Sequence, residues 1–476
     1  MDRIVDDRVV LIDPLAIIDG RKALFLRDNF GGEVPLSCPY PPLELAFTAA
    51  VLRRDGIPVE LIAANVLDLP HPVVVERLRK SPPRLVMFQS AWGSIDDDFA
   101  LMRLLRDALP RTILAIAGPN VTATPERVLR ACPLDAVILG EPEEAVLLMA
   151  RGDRFSTIPN LAFLEGGEMV TTERRPPPGW ASYPLPARDL LDLSRYTIPF
   201  SRRLPCTTIA TVRGCPHHCT FCPTQIWNKR EVRPRPVDLV LTEIGELVTR
   251  YRIRELNFRD DTFTWSHERV AAISEGILAA GHDLTWRCFA TASTVTEDLL
   301  QLMAAAGCTQ VCFGFESGDD AVLSKTGKGT TVAQGHQATA WARAAGLEVS
   351  GTFIVGLEGD NRQSIDKSIA FAIDNELDYV QVNVAAPMPT TAFRKRQDKA
   401  GLNADPDHFR WSGARTSETR ELGAAQLPEE ARRFYREFYL RPRYIRGRLG
   451  SHRNVASLLS HARLGVKMAR HALLGG

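Results

Sequence analysis

The chain has 476 residues, 45% hydrophobic and 24% charged, with 58 basic side chains against 57 acidic ones and a formal net charge of +1. That length implies two or three domains, and the near-neutral balance supplies no overall field that would recruit nucleic acid. No apolar run approaches the ~18 residues of a membrane span, and residues 1–8 are too acidic for a signal or transit peptide, so the cytoplasm is the default compartment.

From Arg8 onward short apolar runs alternate with amphipathic stretches. Residues 9–12, 59–63, 85–88, 112–116 and 136–139 read as strands, and residues 42–54, 73–80, 96–109 and 126–131 as helices. Strands alternating with helices imply a doubly wound parallel sheet over residues 1–150. Ligands of such sheets sit outside the strand carboxyl ends. Those ends are marked here by Gln89 and Ser90, Gly118 and Pro119, and Gly140 and Glu141, where small residues admit a close backbone approach. For each loop an ordinary strand-to-helix turn is the alternative reading.

Residues 151–202 connect this domain to the next. Residues 161–170 read as a hairpin turning at Gly166-Gly167, and Pro176-Pro-Pro-Gly179 with Pro184 and Pro186 as an extended linker. From 203 to 392 the alternation resumes, with strands at 207–212, 256–258, 286–289, 310–315, 349–354 and 379–384 and helices between them. Six strand-helix units fit a partial TIM barrel, short of the eight that fill ~250 residues, and a partial barrel leaves an opening for a large substrate. Residues 393–476 form a helical C-terminal region with a charged aromatic helix at 428–439. After Phe438 there is no acid, while Arg441, Arg443, Arg446, Arg448, Arg453, Arg463, Lys467 and Arg470 are basic and Val455, Leu458, Leu459, Ala462, Val466 and Ala469 share one helical face. Such a tail suits peripheral contact with an anionic membrane or an anionic substrate, and equally a helix packed on the barrel with a solvated basic face.

The chemistry is concentrated at Cys215, Cys219 and Cys222, a C-x3-C-x2-C loop that follows the first barrel strand. Three thiolates on one loop can hold three irons of a 4Fe-4S cluster and leave the fourth iron open to an outside ligand. A zinc site completed by His217 or His218 is the rival, although structural zinc sites usually carry a second ligand pair further on. After the second strand stand Asp260 and Asp261, two carboxylates able to pair with an ammonium group or to cap the next helix. Cys288, Cys308 and Cys312 lie in apolar contexts and read as core.

At the cysteine loop the chain resembles the radical SAM superfamily, whose signature is this spacing with an aromatic residue, here Phe221, before the third cysteine. The resemblance implies that Asp260 and Asp261 contact the amino group of S-adenosylmethionine. It further implies that Glu316 and Ser317, from an E-S-G match, bond its ribose or methionyl part, and that Gly351, Ile354 and Gly356 lie against its adenine. Thr291 stands where members of one large branch often place an arginine. In that branch a cobalamin-binding domain precedes the barrel, and residues 41–46, 118–125 and 138–141 are the similar segments here. The D-x-H-x-x-G motif that ligates cobalt through histidine is absent, as is common in the branch. What the resemblance implies is a cytoplasmic radical enzyme with a 4Fe-4S cluster, S-adenosylmethionine and cobalamin, fed by an external electron donor of flavodoxin or ferredoxin type. Its expected reaction is methylation of an unactivated carbon of a small metabolite in secondary metabolism. A cobalamin-independent radical dehydratase, oxidoreductase, cyclase or ring-contracting enzyme is the second reading, and a metal-cluster scaffold without activity the third.

Overall fold

Successive side chains of a strand point to opposite faces, so an all-apolar run such as Val9-Val10-Leu11-Ile12 must be covered on both sides. The computed structural model describes residues 6–18, 21–23, 40–198, 201–224, 226, 231–402 and 418–450. Its first sheet contains β1 (Asp6–Asp13), β4 (Val59–Ala63), β5 (Pro83–Gln89), β6 (Ile113–Ala117) and β7 (Ala136–Ile138), while β2 (Ala16–Ile18) and β3 (Arg21–Ala23) form a small hairpin apart from it. The helices are α1 (Leu43–Arg54), α2 (His71–Lys80), α3 (Ile95–Ala108), α4 (Pro119–Ala123), α5 (Pro125–Ala131) and α6 (Glu143–Arg151). Val10, Ile12, Val86 and Phe88 pack with Leu78, Leu105 and Leu129 on one face, and Val9, Leu11, Leu85 and Met87 with Leu45, Leu52 and Met149 on the other. The sheet is doubly wound. Its order is β4-β1-β5-β6-β7, all parallel, so the direction of winding reverses between β1 and β5.

The hairpin read as part of the linker belongs to this sheet instead. β8 (Leu161–Glu165) and β9 (Glu168–Thr171) extend it antiparallel beyond β7, because Leu161, Ala162 and Phe163 are apolar and bury against it. Gly166 and Gly167 make the turn at φ 61° and 88°, in the left-handed region that glycine enters at low cost.

The second sheet is an open half-barrel of six parallel strands in chain order: β10 (Cys206–Ile209), β13 (Glu255–Phe258), β14 (Thr285–Ala290), β15 (Cys308–Glu316), β16 (Glu348–Val355) and β17 (Tyr379–Val384). Leu256, Phe258, Trp286, Val311, Phe313, Val349 and Phe353 face outward into the core shared with α7 (Val237–Thr249), α8 (His267–Ala280), α9 (Glu297–Ala305), α11 (Val332–Ala344) and α12 (Arg362–Asp374). The opposite face carries polar residues in register, Asn257 beside Arg287 beside Gln310, so the lumen is built for a polar occupant. Cys288 and Cys308 are buried in the core, whereas Cys312 is half-buried and lies in register with Ser350.

The strand expected at 207–212 breaks after Ile209. Val212–Arg213 becomes β11, which leaves the barrel and pairs antiparallel with β12 (Arg233–Pro234) to form a ribbon at the base of the cysteine loop. Between β15 and residue 402 two short helices escaped the periodicity, α10 (Asp320–Thr326), too brief to repeat, and α13 (Ala392–Ala400), too polar to show an apolar stripe. After them come α14 (Gln426–Tyr439) and α15 (Pro442–Gly450). α14 covers the free edge of β17. The Tyr435 hydroxyl accepts from the Val382 N–H at 2.8 Å, and the Tyr439 hydroxyl accepts from the Val380 N–H at 2.9 Å. The tail face from Val455 to Ala469 lies outside the described residues, among which no helix is long and apolar enough to cross a membrane.

Candidate functional site

Carboxyl-terminal ends of barrel strands collect catalytic groups, and the cysteine loop leaves one of them. Its first turn is set by Asp260. That carboxylate accepts the Thr211 N–H at 2.6 Å, the Val212 N–H at 3.0 Å and the Thr211 hydroxyl at 2.5 Å, which bends the strand out of the barrel. Asp260 is thus taken up by backbone, in place of the ammonium contact expected for it. Asp261 is different. Its carboxylate makes no hydrogen bond or ion pair among the described residues, and burial, with the charge of Asp260, pushes its pKa up to about 6. It lies close enough to Cys215 and Cys222 to act on both thiols.

Cys215, Cys219 and Cys222 form no disulfide and are half-buried. Burial pushes the Cys215 thiol up, Cys219 to about 12 and Cys222 to about 11. Hydroxyls stand beside two of the sulfurs: Thr262 Oγ1 at 3.6 Å from Cys215 Sγ and Thr224 Oγ1 at 3.1 Å from Cys222 Sγ. Among the described residues no three His, Cys, Asp or Glu side chains group as ligands of one metal ion, which is what zinc requires. A cluster differs, since each thiolate binds its own iron and the sulfurs need not converge on a point. Three reduced thiols on one loop, with hydroxyls and a cation nearby, fit that group.

The cation is Lys328, which the sequence reading missed. Its ammonium donates to Glu316 Oε1 at 2.5 Å and to the Gly314 carbonyl at 2.7 Å, and it acts on Cys215 and Cys219. Burial alone would lower its pKa, but the charge and hydrogen bond of Glu316 together with the charges of Cys219 and Cys215 hold it above its ordinary value. Glu316 itself sits at φ 68°, a strained backbone for a non-glycine residue and a mark of functional sites. The available signal was Gly327-Lys328-Gly329. Gly327 lies against the cysteine loop, where an added Cβ would meet the His218 carbonyl oxygen at 2.7 Å.

The remaining barrel candidates divide. Phe221 from the loop and Ile354 from β16 pack on one apolar group with Val322, Leu357, Ala385 and Phe393, forming a wall suited to a purine. Ser317 and Gly318 both meet Ser368 of α12, at 3.3 and 2.8 Å, and so fix the turn after β15. Gly351 faces the core, where a Cβ would stand 2.8 Å from Phe315 and 2.9 Å from Leu377, so its smallness serves packing. Gly356 turns at φ 89° with its N–H on Asp360 at 2.9 Å. Thr291 is buried and accepts from Thr294.

In the first domain, Gly118 runs so close to the Ser90 carbonyl that any Cβ would collide with it. Pro119 follows as the first residue of α4 and is buried. The Ser90 hydroxyl donates to Asp98 at 2.6 Å and accepts from Asn120 at 2.8 Å, locking two strand-end loops together, and Gln89 is buried at the end of β5. Asn65 Oδ1 and Asn120 Oδ1 are buried at these ends with no hydrogen-bond partner among the described residues. Two orphaned acceptors fit cobalamin, whose rim of carboxamides supplies N–H donors. Gly140, at φ 104°, donates its N–H to Thr122 at 3.0 Å. Glu141 is taken up by arginines, accepting from Arg213 at 2.7 Å and from both terminal guanidinium nitrogens of Arg233. Arg213, which also pairs with Glu44 and with Glu143 at 2.6 Å, joins the two domains.

Known proteins carry the same parts. A radical SAM superfamily model matches residues 209–372 and a B12 binding domain model residues 36–149. An uncharacterized methyltransferase of Pyrococcus horikoshii is 30% identical over 412 residues, covering 85% of this chain and 89% of its own. An anaerobic magnesium-protoporphyrin IX monomethyl ester cyclase of Cereibacter sphaeroides is 24% identical, over 88% of this chain and 70% of its own. The cobalamin-dependent S-adenosylmethionine radical enzyme OxsB shares the fold at TM-score 0.74 and 17% identity, over 98% of this chain and 71% of that one. The chain belongs to the radical SAM superfamily, in the branch that carries a B12 binding domain ahead of the barrel, and is an enzyme of that family.

Proposed function

We propose that this enzyme methylates an unactivated carbon of a small metabolite, with cobalamin held by residues 1–150 above a barrel of residues 203–392. The observation that carries it is the junction between them. Arg213, two residues before Cys215, pairs with Glu141, the residue after Gly140, so the cysteine loop and the strand-end crevice border one space. When bound, the cluster and S-adenosylmethionine supply a hydrogen-abstracting 5'-deoxyadenosyl radical, and cobalamin a transferable methyl group.

The chain's own part is placement. Cys215, Cys219 and Cys222 would ligate three irons, with Lys328 balancing charge beside them. Asp261, the one of the adjacent pair without a partner, would accept the methionyl ammonium. Glu316 would turn to the ribose or methionyl end, Phe221 and Ile354 would enclose the purine, and Asn65 and Asn120 would accept corrin amides. An external electron donor and the reducing cytoplasm complete the reading. The cyclase relative favours a second one, radical ring formation or redox chemistry with no methyl transfer.

Anaerobic incubation with a small-metabolite extract and methyl-deuterated S-adenosylmethionine separates the two. Methyl transfer gives labelled product with 5'-deoxyadenosine and S-adenosylhomocysteine together. Formation of 5'-deoxyadenosine and a converted metabolite, without label and without S-adenosylhomocysteine, would overturn it.

A further inference from the structure

The junction holds more charge than cohesion requires. Glu44 on α1, Glu141 after β7 and Glu143 at the start of α6 all reach Arg213, whose side chain is only 5% exposed, against 15%, 1% and 0% for the three acids. The guanidinium also lies 4.6 Å over Trp180 of the linker and 5.5 Å over Phe47 of α1. Arg233, on the other strand of the ribbon, holds Glu141 as well, so the base of the cysteine loop is gripped on both strands.

Buried ion pairs rarely stabilise more than apolar residues of similar volume would; what they specify is register. A fork meeting three carboxylates, Glu44 from α1 and Glu141 and Glu143 from the β7–α6 junction, permits one docking geometry, whereas an apolar contact permits sliding. The ribbon is short and Cys215 follows it directly, so displacement at Arg213 moves the cysteines.

We propose that Arg213 is a positioning residue that sets the separation between the cysteine loop and the strand-end crevice, and so couples radical formation in the barrel to methyl delivery from the first domain. This rests on the methyl-transfer reading. It assigns Glu44 and Glu143 to the same task through their ion pairs with Arg213.

The test is Glu143→Gln, which keeps shape and removes charge, with Glu44→Gln at the partly exposed rim as the variant that decides if the first does not fold. Each is prepared with iron, sulfide and cobalamin bound. Iron and corrin content should match wild type and 5'-deoxyadenosine formation should stay within about twofold, while S-adenosylhomocysteine formation falls about tenfold or more, since a shift of ~1 Å costs that much in an oriented transfer. X-ray scattering of the loaded variants should show a larger radius of gyration. Both products falling in equal proportion, or neither changing, would overturn the proposal. Wild type that forms no S-adenosylhomocysteine would reject the methyl-transfer reading instead, and scattering would still judge the clamp, because variants as compact as wild type would refute it.

Discussion

Removing the Tyr435 hydroxyl tests how the open barrel keeps its last strand. Tyr435 is 2% exposed, and its oxygen takes the Val382 N–H at 2.8 Å while donating to the Val382 carbonyl at 3.3 Å. Tyr439 repeats this one turn later at Val380, at 2.9 and 2.8 Å, but is half-buried. The two side chains stand in for the missing neighbour of an edge strand. In Tyr435→Phe water cannot replace the lost oxygen, and a buried unpaired N–H costs ~1–3 kcal/mol, so about 2 kcal/mol is expected. In Tyr439→Phe water reaches the gap and the cost is about 0.5–1 kcal/mol. A chain of several domains does not unfold in two states, so the assay is hydrogen exchange of residues 379–384, where 2 kcal/mol appears as roughly 30-fold faster exchange. Unchanged protection at 382 in Tyr435→Phe, or a larger effect from Tyr439→Phe, would refute the reasoning.

Asp260 and Asp261 should separate cleanly. Asp260→Ala strands the Thr211 and Val212 amides, costs about 3 kcal/mol and lowers reconstituted iron, whereas Asp261→Asn keeps iron and raises the KM for S-adenosylmethionine; iron assays and cofactor titration check both. Lys328→Met leaves Glu316 charged and unpaired in a buried site, so the hydrogen-exchange protection of residues 308–316 should fall by the equivalent of about 3–5 kcal/mol, and Lys328→Arg should recover most of that. Asp360 is pushed up to about 6 by burial, against an ordinary 3.8. Folding therefore favours its protonated form, and the stability it contributes is full below about pH 4 and lost as pH rises through about 6, some 3 kcal/mol in all. Asp360→Asn should flatten the dependence of the unfolding midpoint over that window, and an unchanged slope would refute the assignment.

Much of this was legible because burial leaves a periodic trace. All-apolar strands with helices between them announced a sheet covered on both faces, and the cysteine spacing announced its loop. What escaped was determined at a distance. The break of the first barrel strand after Ile209 is caused by Asp260, about 50 residues later, and nothing local to 209–212 encodes it. Gly118 and Gly351 look alike as glycines after or within strands, yet one admits the Ser90 backbone and the other packs against Phe315. Lys328 and Arg213 were hidden for the same reason: a charged residue reads as solvent-facing until the acids that bury it are brought near. The hairpin at 161–170 was seen, but its pairing with β7 was not, because edge pairing of a short strand leaves no pattern of its own.

The most direct measurement is iron and corrin content on one anaerobic preparation reconstituted with cobalamin, for wild type and for the Cys215→Ala/Cys219→Ala/Cys222→Ala triple variant. The account predicts about four irons and one corrin per chain in wild type, and the triple variant losing the iron while keeping the corrin. Wild type that emerges without corrin, or a triple variant that retains about four irons, would contradict it.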